Sequence, residues 1–228
     1  MKSVVRKYMR ILITAGGTRE YIDPVRFISN ASTGKMGYAL ASAALKAGHK
    51  VTLVTTVHRP SSIIDRPAGH ERPAMIITVE TAAEMFQAVK KHFPRCDCLI
   101  MAAAVADYTP ARPAKTKIRR ENKPLTIKLK PTPDIARWAG NHKKKGQIVI
   151  GFALEEKALR GRAERKLKEK RLDMIIANST TAIGADKITI QIKTPERKWL
   201  KLAKASKTVI ARKIISLMEG DKKNENHN

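Results

Sequence analysis

Aromatic side chains are scarce in this 228-residue chain: two Trp, four Tyr and four Phe make up 4% of it. A protein that binds single-stranded nucleic acid by stacking needs aromatic platforms set among its cations, and no such motif is present. Cysteine is scarcer still. Cys96 and Cys98 are the only two, one residue apart, which is poor spacing for a disulfide and too few ligands for a structural zinc site. A reduced, cytoplasmic compartment is expected. No apolar run approaches the roughly 20 residues that a membrane-spanning helix requires, so no membrane association is expected. The opening, Met1 to Tyr8, is basic but lacks the apolar stretch and small-residue cleavage site of a secretory signal. It reads as a short tail.

Negative charge is the third shortage, with 20 Asp and Glu against 46 Lys and Arg, a net +26. Such an excess ordinarily points to a polyanion, because clustered cations release counterions from a phosphate backbone. Here the cations are spread over Arg59, Arg66, Lys115 to Arg120, Lys143 to Lys145, Arg160 to Arg171 and Lys201 to Lys213. The pattern favours a solvated basic surface with a smaller set serving anionic substrates. A nucleic-acid-binding module remains an alternative. The six histidines form no triad and no metal spacing.

What is present is an alternation of short β-rich runs and helical patterns. At 43% hydrophobic residues the chain can bury a core without covalent staples. Ile11 to Ala15 is a buried-strand pattern running into Gly16-Gly17. Lys35 to Lys46 carries apolar residues at helical spacing and stops before Gly48. Further strands are expected at Val51 to Thr55, Met75 to Val79, Cys98 to Ala103, Leu125 to Leu129, Ile148 to Ala153 and Met174 to Ala177. Helices are expected at Ala82 to His92 behind the Thr81/Glu84 capping box, from a Thr132-Pro133 opening, and near Glu156 to Lys170. Lys187 to Leu202 reads as a hairpin, and Ser206 as the cap of a last helix ending near Gly220. The whole predicts a doubly wound, Rossmann-like, mostly parallel α/β sheet with helices on both faces. One domain over residues 9–220 is expected, with a disordered tail at Asp221 to Asn228. The long loops Val57 to Pro73 and Ala104 to Arg120 invite a functional reading.

Ligands of open α/β sheets bind beyond the carboxyl ends of the strands. Gly16 and Gly17, then Ser32, Gly34 and Gly37 around the start of the first helix, therefore form a candidate phosphate loop. A dinucleotide cofactor fits poorly. The stretch between Gly17 and Gly34 breaks the compact glycine fingerprint, and the strand ending at Thr55 leads to Val57-His58 without the acidic ribose ligand. An NAD(P)-dependent reductase is kept as the second alternative.

The run Asp23-Pro24-Val25-Arg26-Phe27-Ile28-Ser29-Asn30-Ala31-Ser32-Thr33-Gly34-Lys35-Met36-Gly37 resembles phosphopantothenate–cysteine ligase, in its bacterial, CTP-using form. The likeness continues through Ala102 to Tyr108, Lys117 to Arg120, Thr132 to Ile135, Gly151 to Glu155 and Leu172 to Asn178, in order and over nearly the whole chain. Gly17 stands where the bacterial family often has proline, and Thr132 where asparagine is common. The flavin-dependent decarboxylase domain often fused ahead of this ligase does not appear, so the resemblance implies a stand-alone ligase passing its product to a separate decarboxylase.

That resemblance implies a two-step reaction, with CTP as co-substrate and Mg2+ accompanying it, through protein ligands that no motif identifies. Lys117 matches the lysine that stabilises the α-phosphate, and Lys166 and Lys170, four apart on one helix face, match those at the triphosphate. Phe152 corresponds to a residue of the cytosine pocket, where backbone groups of Met101, Ala102 and Ala103 would read the base. Pro133, Asp134, Ile135 and Ala136 would offer helix amides to the phosphates, and Asp107 would be shared by the two substrates. Phosphopantothenate would be met by Arg26, Asn30, Ala103 and Ala104, the arginine reaching across a homodimer interface. Asn30 would donate to the acyl oxygen as charge builds there.

Overall fold

The computed structural model describes residues 8–57, 74–156, 158–179 and 185–220. The expected terminal tails, apart from Tyr8, and all but the first residue of the loop Val57 to Pro73 lie outside them.

Six strands run parallel in the order β5 (Met75–Thr78), β4 (Lys50–Thr55), β1 (Arg10–Ala15), β6 (Cys98–Met101), β9 (Ile148–Leu154) and β10 (Met174–Asn178). The antiparallel hairpin β11 (Lys187–Lys193) and β12 (Leu200–Ser206) extends the sheet beyond β10. The expected doubly wound architecture is present. Its strand order reverses between β1 and β6, the point at which such sheets bind ligands.

Both faces are covered, which explains why the central strands read as continuous apolar runs. Ile11, Ile13 and Ala15 of β1 point to one side, into a core with Leu40 and Ala44 of α1 (Lys35–Lys46) and Ile210 and Ile214 of the last helix. Leu12 points to the other, into a core with Met85 and Val89 of α2 (Ala82–His92), Ile135 and Leu167. The three remaining helices are α3 (Ile135–His142), α4 (Leu159–Glu169) and α5 (Lys207–Glu219). Each fully buried Leu or Ile contributes roughly 1.5–3 kcal/mol. The Thr81/Glu84 capping box closes in full, and Ser206 caps α5 by accepting from the Val209 N–H.

Two further sheets have two strands each: β2 (Arg19–Tyr21) with β3 (Phe27–Ser29), and β7 (Tyr108–Pro110) with β8 (Leu129–Pro131). They correct several expectations. The expected strand Leu125 to Leu129 is a loop whose last residue opens β8, outside the main sheet. The strand expected to reach Ala103 stops at Met101, because the Ala103 N–H turns to the Thr14 hydroxyl. Helix α3 does not open at Thr132-Pro133. Its cap is Asp134, whose carboxylate accepts from the Arg137 N–H, while the Thr132 hydroxyl is spent on the Ala106 carbonyl at 2.5 Å. Helix α4 is shorter than expected and begins after Ala158, which adopts a left-handed φ of 50°.

Candidate active site

A cavity of about 520 Å3 opens beyond the carboxyl ends of β6, β9 and β10. Its floor is made where β1 and β6 part. Gly16 has φ +87°, and a Cβ there would lie 2.1 Å from the Thr56 hydroxyl, so only glycine makes this turn. Gly17 bridges to Ala104, and a Cβ on it would strike the Asn30 carbonyl at 2.6 Å. A Cβ on Gly37 would meet that of Ala15 at 2.4 Å, so this residue lets α1 lie close on β1. These three expected phosphate-loop glycines therefore shape the floor without lining the cavity. Ser32 and Gly34 do line it, and the α1 N-terminus beside them carries no side-chain cap.

Asn30 lies against the segment that follows β6. Its amide nitrogen donates to the carbonyls of Ala104 at 3.3 Å and Val105 at 3.2 Å. The amide of Ala104 donates to the Gly16 carbonyl and that of Ala106 to the Thr18 hydroxyl. Thr132 closes this segment from the far side through Ala106 and through its own N–H to the Asp107 carbonyl. Residues 102–107 are thus stitched to β1, the β1–β2 turn and the α3 entry. This turns Ala103, Ala104 and an exposed Asp107 toward the cavity. The N–H groups of Ala102 and Ala103 are already bonded within the fold.

Phe152, Met101, Pro133, Ile135 and Ala136 also line the cavity, together with Lys166 and Lys170. Both lysines are paired. Lys166 lies 2.7 Å from Glu155, whose side chain is only 7% exposed, and Lys170 lies 3.0 Å from Asp134. Burial by itself would raise the Glu155 carboxyl, but hydrogen bonds and charge from Lys166 and Arg162 outweigh it and hold the group below the ordinary range. Asp134 is likewise lowered against the effect of burial, by the Arg137 N–H and by Lys170.

Arg26 and Lys117 are absent from this cavity. Arg26 hydrogen-bonds the buried Asp23 and the Ile118 carbonyl, and Asp23 accepts the Ile118 N–H. Lys117 is exposed on the arm 111–128 that these bonds hold down. The resemblance did not point to Lys207, which lines the cavity, and it carried Lys35 and Asn178, which line it too, only as parts of motifs. Among the described residues no three His, Cys, Asp or Glu side chains are grouped to hold a metal ion.

The profile of the DNA/pantothenate metabolism flavoprotein C-terminal domain matches residues 7–220. The chain belongs to that family. It is 46% identical over 175 residues to the coenzyme A biosynthesis bifunctional protein CoaBC of Bacillus subtilis, covering 77% of this chain and 41% of that one. It is 47% identical over 176 residues to a protein of an unknown prokaryotic organism named cysteine/cysteine sulfinic acid decarboxylase, covering 77% and 47%. The chain thus spans about half the length of the curated relatives it matches. Among solved structures, the C-terminal domain of a CoaBC protein superposes with a TM-score of 0.72 at 37% identity, covering 92% of this chain and 93% of that one. Among the described residues no helix is long and apolar enough to cross a membrane.

Proposed function

We propose that this family member is a phosphopantothenate–cysteine ligase of coenzyme A biosynthesis, activating the carboxylate with CTP. The observation that carries the reading is the cavity at the switch point, where Asn30, Ala103, Ala104 and Asp107 face Phe152, Lys166 and Lys170 across one space. A carboxylate does not acylate an amine at useful rates, because oxide is a poor leaving group. The carboxylate oxygen therefore attacks the α-phosphorus of CTP, a P–O bond forms, and pyrophosphate departs. The cysteine amine then attacks the acyl carbon, the C–O bond to CMP breaks, and CMP and one proton leave. Catalysis of the first half is positioning and charge neutralisation. Lys166 and Lys170, fixed by Glu155 and Asp134, supply fixed cations for it. Magnesium would accompany the nucleotide through phosphate oxygens and water, and no step here depends on a protein ligand to it.

Arg26 and Lys117 complete the site from a second subunit in this reading. Val25, Phe27, Tyr108, Leu125 and Leu129 are exposed apolar residues of the two small sheets and the arm, and β2 packs against β7. That apolar surface suits a homodimer interface. The test is to supply phosphopantothenate, cysteine, magnesium and one nucleotide at a time, and to follow pyrophosphate and the amide product. Turnover is expected, with kcat/KM for CTP well above that for ATP. Silence with every nucleotide would remove the ligase reading, and equal use of CTP and ATP would remove the cytidine assignment alone.

A further inference from the structure

Resting on that reading of the cavity, we infer that Lys35 and Lys207 form a second cationic end of it that receives the terminal phosphates of the nucleotide, and hence the departing pyrophosphate. Lys166 and Lys170 stand by the α3 and α4 wall and are already engaged with carboxylates. Across the cavity, Lys35 and Lys207 come from elements far apart in sequence and line the same space. They are close enough for the charge of Lys35 to act on Lys207, and Asp186, the ion-pair partner of Lys35, acts on Lys207 more weakly. Asp186 bonds Lys35 at 3.2 Å, but its side chain is 87% exposed. A pair so open to water is worth little and is readily given up to a stronger anion. Lys207 is half-buried, and its side chain has no hydrogen bond or ion pair among the described residues.

The backbone sharpens the point. Lys35 is the first residue of α1 and Lys207 the first of α5, helices of 12 and 13 residues. A helix N-terminus disfavours a cation, and neither first turn holds an acidic residue to offset it. Two like charges crowded at two positive helix ends, beside a cavity, are an arrangement that an anion relieves. Burial, then the Lys35 charge, already push the Lys207 ammonium below the ordinary lysine range, against a smaller pull from Asp186. A bound phosphate would reverse that.

The experiment is calorimetric binding of CTP, CMP and inorganic tripolyphosphate to the parent chain and to Lys207→Ala, Lys207→Arg and Lys35→Ala. Loss of one charge-assisted contact is expected to weaken CTP and tripolyphosphate about tenfold or more, to leave CMP within about twofold, and to be largely restored by arginine at 207. The melting temperature of Lys207→Ala should hold or rise, since a cation leaves a helix N-terminus. Equal weakening of CMP and CTP, unchanged tripolyphosphate affinity, or a parent chain that does not bind tripolyphosphate would each overturn the assignment. Tripolyphosphate binding that needs both lysines, without ligase turnover, would support this site while sinking the ligase reading.

Discussion

Asn30 shows how a residue legible in a motif acquires a more exacting role in three dimensions. Its amide nitrogen donates to the carbonyls of both Ala104 and Val105. It reaches an acyl oxygen only by leaving one of them, so it links the substrate contact to the position of residues 103–107. Asn30→Asp is nearly isosteric but sets a carboxylate against two carbonyl oxygens. The second half-reaction should slow roughly a hundred- to thousand-fold, as on loss of an oxyanion donor. Bound acyl cytidylate is then expected in the mass spectrum of quenched protein. Lys117→Ala should instead release little pyrophosphate and accumulate nothing; an intermediate seen there and absent from Asn30→Asp would reverse the two assignments. The places of Phe152 and Asp107 at the cavity were legible because each stands in a motif with fixed neighbours, whereas Lys166 and Lys170 lie outside those motifs and were pointed to by the resemblance alone. Lys207 was not legible, since a lysine after a serine cap resembles any solvated helix start.

The main sheet was legible element by element, because strands buried on both faces and helices with caps carry strong periodic patterns. Helices α1 and α2 begin and end where the sequence places them. The small sheets were not. Three residues per strand are too few to show a period, and the strands are tied down by contacts distant in sequence, such as that of Asp23 with Ile118. That buried carboxylate accepts from Arg26, from the N–H groups of Val25 and Arg26, and from Ile118 on the arm. The Arg26 guanidinium and then these amides, working against burial, hold it well below the usual carboxylate range. A group depressed on folding contributes stability above its unfolded pKa, roughly 3.9, and loses it as pH falls toward the folded value. The arm should therefore stay docked at neutral pH and loosen only in strong acid. Asp23→Asn, lacking that charge at any pH, is expected to expose residues 111–128 to limited proteolysis already at pH 7. Equal cleavage rates for parent and variant at pH 7 would show that Asp23 does not hold the arm.

At the scale of the whole molecule the Arg26 contact to Ile118 has a consequence for assembly. Arg26 and Lys117 belong to one hydrogen-bonded unit, so in the proposed homodimer both should serve the same cavity, that of the other subunit. Subunit exchange tests this. An Arg26→Ala/Lys117→Ala chain mixed with Phe152→Ala should recover about a quarter of parental activity, because half of the dimers are mixed and each has one sound site. Mixing Arg26→Ala with Lys117→Ala should recover none, since every site then carries one defect. The reverse pattern would place Lys117 over its own chain's cavity. Sequence alone sent only Arg26 across the interface and left Lys117 to its own chain's site, because 91 positions separate them and nothing in the chain announces that a buried aspartate joins them.

The two cysteines acquire a meaning from where the sheet puts them. Burial pushes the Cys96 thiol up to about 11 and raises Cys98 as well. At neutral pH only about one Cys96 in ten thousand is then a thiolate, the form that exchanges with disulfides. A catalyst for cysteine works in a bath of reactive sulfur, where any open thiol on its own surface would collect mixed disulfides. With both sulfurs buried, the proposed ligase would meet its thiol substrate without becoming a reagent itself.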